Sequence, residues 1–310
     1  MGDKRLSVFR AVLALIALPL LFGPAAAEDQ VIYKKGYVDA RFGQIHYHMA
    51  RPAKGDGDGD KTPIVFFHQN PKSAEEYRPL LDVIGRDRVA IAFDTPGYGE
   101  SDRPDEPQDM AALTAAFEDA LVAMGYGQGA DGKGGKGPVD VFGFHTGVFM
   151  ATELAITRPD LVRRVVVSGI AYRDAKTRAE ILAGLPTDKS LPEDGTFIMN
   201  RWYLIVIKRA EGVSLERAAK VFLEDIHSLD KSWYAYNAVW TYAPEDRFPL
   251  VKQPVLVLQP HELLLEETRK AKAELLPDAD MIELPDIVDD VFDTGAEEIG
   301  AAMIKWLDAN

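Results

Sequence analysis

The chain has 310 residues, 47% of them hydrophobic, which is enough to bury a full core in one α/β domain of ordinary size with an insertion. Lysine and arginine number 35 against 49 aspartates and glutamates, a formal net charge of -14. That surplus of acid repels phosphate backbones and anionic membranes, so it argues against nucleic-acid binding. There is no cysteine, which excludes a disulfide framework, a thiol nucleophile and a lipid-modified cysteine.

Taken in order, residues 1–27 read as a secretory signal peptide. Lys4, Arg5 and Arg10 precede the apolar run from Ala11 to Phe22, and Ala25, Ala26 and Ala27 offer a small-residue cleavage site. The expectation is a periplasmic or secreted protein with no stable membrane insertion once the signal is removed. From Val31, two strands joined at Gly43-Gln44 form an antiparallel edge. Residues 53–61 are a polar loop; Asp56, Asp58 and Asp60 lack the glutamate and flanking helices of a calcium loop, so no metal is expected there. Thr62 to Phe67 and Arg88 to Phe93 are uncharged or nearly uncharged apolar runs suited to central parallel strands, with a helix around Ala74 to Ile84 between them. Met110 to Met124 has helical spacing, and Gly127 to Gly137 fails the phosphate-loop pattern and reads as a surface connection.

The strand Val139 to Phe144 runs into Gly143-Phe144-His145-Thr146-Gly147 and leaves as an apolar helix ending near Arg158-Pro159. Val162 to Ser168 supplies another strand. Alternation then stops: 171–250 contains helical segments at Phe197 to Lys208, Leu215 to Ile226 and Ser232 to Tyr242, with three of the four tryptophans, Trp202, Trp233 and Trp240. These aromatics are expected mostly in packing, with a few lining a pocket. Strands resume at Pro254 to Leu258 and Asp280 to Leu284, each followed by a helix. The pattern predicts an α/β fold with a doubly wound, mostly parallel sheet, its core divided between 28–170 and 251–310 by a helical cap at 171–250.

Three motifs carry a family resemblance. The elbow G-x-Nuc-x-G around His145, the turn His68-Gln69-Asn70-Pro71, and the stretch from Phe93-Asp94-Thr95-Pro96-Gly97 through Asp102 together resemble the α/β-hydrolase superfamily, nearest to haloalkane dehalogenase and epoxide hydrolase-like members. The resemblance implies a capped hydrolase acting on a small, partly apolar molecule, an ester, lactone or similar substrate, without a cofactor. It departs from the family at the nucleophile, where Ser, Asp or Cys is replaced by His145. The acid position after the PVLVL strand falls on Leu263 with Glu262 one residue short, and Asp289 stands where the last histidine would be.

One reading accommodates both changes. A long imidazole at His145 meets a short carboxylate at Asp289, the usual pair with its ends exchanged, and the ring acts as a non-covalent general base. Glu262 or His261 is a second acid-base candidate. The oxyanion donors would be the backbone N–H of Thr146 and an N–H from the His68 to Asn70 loop, with Gln69 and Asn70 orienting substrate and His68 bracing the loop. Against this stands a catalytically silent binding or scaffold protein on the same fold; a cofactor-free lyase or isomerase is also compatible with a lone base over an oxyanion hole.

Overall fold

A computed structural model describes residues 30–53, 61–127, 135–185, 192–228 and 233–309. The proposed signal segment lies outside these residues, as does most of the 53–61 loop.

The strands are β1 (Val31–Ala40), β2 (Gly43–Pro52), β3 (Ile64–Phe67), β4 (Ala90–Phe93), β5 (Val139–Phe144), β6 (Val162–Ser168), β7 (Val255–Pro260) and β8 (Asp280–Leu284). They form one sheet in the order β1-β2-β4-β3-β5-β6-β7-β8. The hairpin β1–β2 is antiparallel and β2 joins β4 antiparallel, while every later pair is parallel. β3, β4, β5 and β7 are buried at every position. That is what a strand covered on both faces requires, and why these segments are mostly apolar rather than alternating, with Asp140 and Gln259 as buried exceptions.

Helices α1 (Arg78–Ile84), α2 (Met110–Ala123) and α3 (Thr146–Thr157) follow β3, β4 and β5. Leu80, Leu81 and Ile84 of α1 pack with Phe66 and Phe142 on one face of the sheet, and Leu113, Phe117, Phe149 and Leu154 of α2 and α3 pack with Val65 and Val141 on the other. Removing a ring such as Phe142, fully buried, would cost about 3–5 kcal/mol. α3 is buried from Thr146 through Ala155. A helix enclosed on all sides has no polar face to show, which explains its mostly apolar sequence; its one charge, Glu153, is held by Arg247 and Tyr242.

Between β6 and β7 come α4 (Ala175–Gly184), α5 (Thr196–Trp202), α6 (Leu215–His227), α7 (Tyr234–Thr241) and α8 (Pro244–Arg247). α5 continues into a π-helical turn at Tyr203–Ile207, so the single helix expected over 197–208 is two different windings. Val206, Ala218 and Phe222 form a small core of their own with Trp202 and Ile226. Arg217 ties α6 to the sheet domain, reaching Asp293 at 2.6 Å and Glu75 at 3.0 Å, and Lys220 reaches Glu75 at 2.8 Å. After β7 and β8 come α9 (Leu265–Leu275), α10 (Val291–Thr294) and α11 (Ala296–Ala309). Ile299, Met303 and Trp306 of α11 close the face begun by α1. The loops leaving β3, β5, β6, β7 and β8 therefore meet at one edge of the sheet, where ligands of such sheets bind.

Candidate active site

β5 delivers His145 to the apex of a strand-turn-helix corner. Its backbone sits at φ 48°, ψ −109°, a region L-residues avoid at a cost of order 1–3 kcal/mol. The His145 N–H is held by the Ser168 carbonyl at 3.1 Å. Both flanking glycines are needed: a Cβ at Gly147 would overlap the Phe67 carbonyl, and one at Gly143 would overlap the backbone of Gly147.

The imidazole stacks on Phe144 with centroids 4.1 Å apart, and its Nε2 lies 3.0 Å from Glu262 Oε2. Its Cδ2–Nε2 edge faces Gly169, where any Cβ would overlap the ring. The opposite edge carries Nδ1, which has no hydrogen bond among the described residues. A carboxylate accepts the Nε2 proton, so the lone pair is left on Nδ1, available as a base. The other carboxylate oxygen of Glu262 is buried with no partner.

The expected partner, Asp289, does not pair with the ring. It is exposed on the wall of the same cavity, its carboxylate takes no hydrogen bond among the described residues, and only its backbone carbonyl is engaged, by Thr294 Oγ1 at 2.8 Å. Side-chain reach explains the correction. A glutamate one residue before the usual acid position extends far enough to meet an imidazole rooted at the elbow itself, while Leu263, at that usual position, points out at 86% exposure.

The oxyanion expectation is also altered. Gln69 N–H donates to Glu76 Oε1 and the Gln69 side-chain amide to Glu76 Oε2, both at 2.9 Å. Asn70 N–H donates to Thr146 Oγ1 at 3.3 Å. Both backbone donors that follow His68 in the loop thus have acceptors already; the Thr146 N–H, at the start of α3, has no helical acceptor. His68 braces the loop: its Nδ1 donates to the Gln69 carbonyl at 2.8 Å and its Nε2 accepts from Thr95 N–H at 2.9 Å. Burial holds its pKa down, so the ring stays neutral. His261 is turned away from the cavity toward Glu283, at 3.0 Å.

The cavity measures about 190 Å³ and is lined by residues that include Phe144, His145, Glu262, Glu76, Lys72 and Asp289. Among the described residues Val221 is its one lining residue from the cap, so the described cap aromatics do not line it; Trp202 packs on Phe222 at 5.1 Å and Trp240 packs against the main core. Burial pushes the Glu76 carboxyl up to about 7, against the hydrogen bonds from Gln69 that pull it down. Burial likewise lowers the pKa of Lys72, which Asp225 and Glu76 partly restore.

Glu76, Lys72 and Gly169 were not singled out by sequence reasoning. A glycine directly after a buried strand was the available sign for Gly169; the adjacent pair Glu75-Glu76 opening a helix reads as ordinary N-terminal charge. Among the described residues no group of three or more side chains is placed to hold a metal ion, and no helix is long and apolar enough to cross a membrane.

The sequence model of the alpha/beta hydrolase fold matches residues 62–258. A curated relative, (E)-2-((N-methylformamido)methylene)succinate hydrolase of Acinetobacter baylyi, is 26% identical over 170 residues, 54% of this chain and 60% of that protein. The chain therefore spans about three fifths of that relative's length. Among solved structures, the enol-lactonase of Burkholderia xenovorans superposes with a TM-score of 0.67 at 17% identity, covering 88% of this chain and 100% of that one. An epoxide hydrolase of Vigna radiata gives 0.68 at 15% identity, covering 90% and 98%. At such identities the structural likeness concerns the fold.

Proposed function

We propose that this chain, which belongs to the alpha/beta hydrolase fold family, hydrolyses a small, partly apolar ester or lactone by general-base catalysis from His145, without a covalent intermediate. The observation that carries this reading is the 3.0 Å hydrogen bond from His145 Nε2 to Glu262, at an elbow that bears no serine, aspartate or cysteine. Nδ1 takes a proton from water as the water oxygen attacks the acyl carbon. The same proton passes to the leaving alkoxide oxygen as the C–O bond breaks. Glu262 holds the tautomer and stabilises the imidazolium that forms between these steps. The helix N-terminus at Thr146 faces the developing oxyanion. We further propose that the protein is exported and its signal removed after Ala27, which the mass of the mature N-terminus from whole cells would test.

The test of the activity is a panel of neutral aliphatic esters and lactones with wild type and His145→Ala. Turnover lost with the ring supports the reading; turnover retained without it ends the reading. A serine-directed phosphonate is expected to leave the protein unlabelled. One observation favours a second reading, a silent binding protein: the N–H groups of Gln69 and Asn70 are already committed to Glu76 and Thr146. Ligand-induced stabilisation of the wild type with no turnover on any member of the panel would select it.

A further inference from the structure

The cavity around His145 has two kinds of wall. Phe144, Phe292, Val221 and Val291 make an apolar side, while Glu76, Glu262, Asp289 and Asp290 make an acidic one. Lys72 also lines it, and the cations at and beside it face carboxylates of their own. Lys72 lies 4.0 Å from Asp225 and within the fields of Glu76 and Asp290. Arg217 is held between Asp293 and Glu75, at 2.6 and 3.0 Å. Asp290 is engaged as well, accepting the Ala210 N–H of the loop after the π-helical turn at 2.7 Å.

Two carboxylates are not balanced in this way. Asp289 stands on the wall with no hydrogen bond to its side chain among the described residues. Glu262, its side chain 6% exposed, has one oxygen on His145 and the other sealed from water without a donor. An oxygen of this kind has lost its hydration without compensation, and its charge acts through a low-dielectric wall rather than through water. A negative charge entering the cavity would meet this field; a positive one would relieve it.

We propose that the cavity selects small apolar molecules carrying an ammonium group and rejects carboxylates, with Asp289 receiving the ammonium and Glu262 supplying the negative field behind it. The inference rests on the reading of this cavity as the substrate site and adds its charge preference. The apolar wall takes the hydrocarbon part of the molecule, so the ester or lactone acted on bears an amine at the end remote from the scissile bond.

The experiment is calorimetric titration of the full chain with n-butylammonium, n-butanol and butyrate, three probes of similar size and different charge. The expected order of affinity is butylammonium, then butanol, then butyrate. Asp289→Asn should weaken butylammonium by roughly threefold to tenfold, the effect of one nearby charge at the solvent boundary, and leave butanol unchanged. No binding of butylammonium, equal affinities for the three, or tighter binding of butyrate overturns the proposal. His145→Ala keeps the selectivity and removes the base. If it retains the ammonium preference while wild type hydrolyses nothing, the proposed activity fails and the selectivity stands. If wild type turns over neutral esters with no gain in kcat/KM from an amine, the selectivity fails and the activity stands.

Discussion

Of the histidine–carboxylate pairs among the described residues, two invite comparison, and their difference shows what suits one of them to the proposed chemistry. His46 Nδ1 meets Asp94 Oδ2 at 2.8 Å and His145 Nε2 meets Glu262 Oε2 at 3.0 Å. By distance they are equivalent. The Asp94 carboxylate, however, is saturated, since it also accepts from Ala74 N–H at 2.7 Å and Glu100 N–H at 2.9 Å. Burial alone would raise its pKa, but the hydrogen bonds from His46, Glu100 and Ala74 hold it below the usual carboxylate range. Side-chain exposure is 5% and 2% for that pair, against 19% and 6% for His145 and Glu262. The first pair joins β2 to the loop after β4 and is closed on every side. The second keeps an open imidazole edge and an unsatisfied oxygen. Pairing orients a ring; spare lone pairs and access let it react.

The comparison breaks most easily at the elbow. His145→Ala should lower kcat/KM by about 10²- to 10⁴-fold, the usual contribution of a positioned general base, and should also lower the urea midpoint, because it removes the ring stacked on Phe144 and leaves the nearly buried Glu262 carboxylate without its donor. The mirror experiment is Asp94→Ala. It strands two buried backbone donors and a buried imidazole, so it should cost about 3–5 kcal/mol in urea unfolding, with the residual folded fraction still turning over substrate. If Asp94→Ala abolishes turnover in protein that remains folded, the separation of the two pairs into bracing and reacting is wrong.

A smaller effect should appear in the pH dependence of stability. Burial lowers the pKa of His48, beside the closed pair, to about 4 from an ordinary 6.5. The unfolded chain therefore takes up this proton first as pH falls. Stability from His48 is intact above pH 6.5 and is lost progressively down to about pH 4, amounting to about 3 kcal/mol at most. His48→Gln should flatten that part of the curve, and a curve unchanged by it would refute the assignment. Smallest is Glu262→Gln. The amide oxygen still accepts from Nε2–H, so orientation survives and the charge is lost; kcat/KM should fall about tenfold, with less loss than His145→Ala.

Much of this architecture was written in local pattern. The apolar runs at 64–67, 139–144 and 255–260 became fully buried strands because only a sheet covered on both faces has use for them. The elbow followed from Gly143 and Gly147, whose missing side chains are read directly from the letters. Three contacts were not legible: the ring's choice of Glu262 over Asp289, the commitment of the Gln69 and Asn70 N–H groups, and the absence of cap aromatics from the cavity. Each depends on where loops far apart in the chain come to rest, and 117 residues separate His145 from Glu262. Motif alignment ranks a position by its neighbours in sequence, but a hydrogen bond is decided by the direction and length of a side chain in space. The sequence by itself determined the sheet, the corner and the presence of an imidazole there; the tertiary structure alone decided which carboxylate that imidazole would touch.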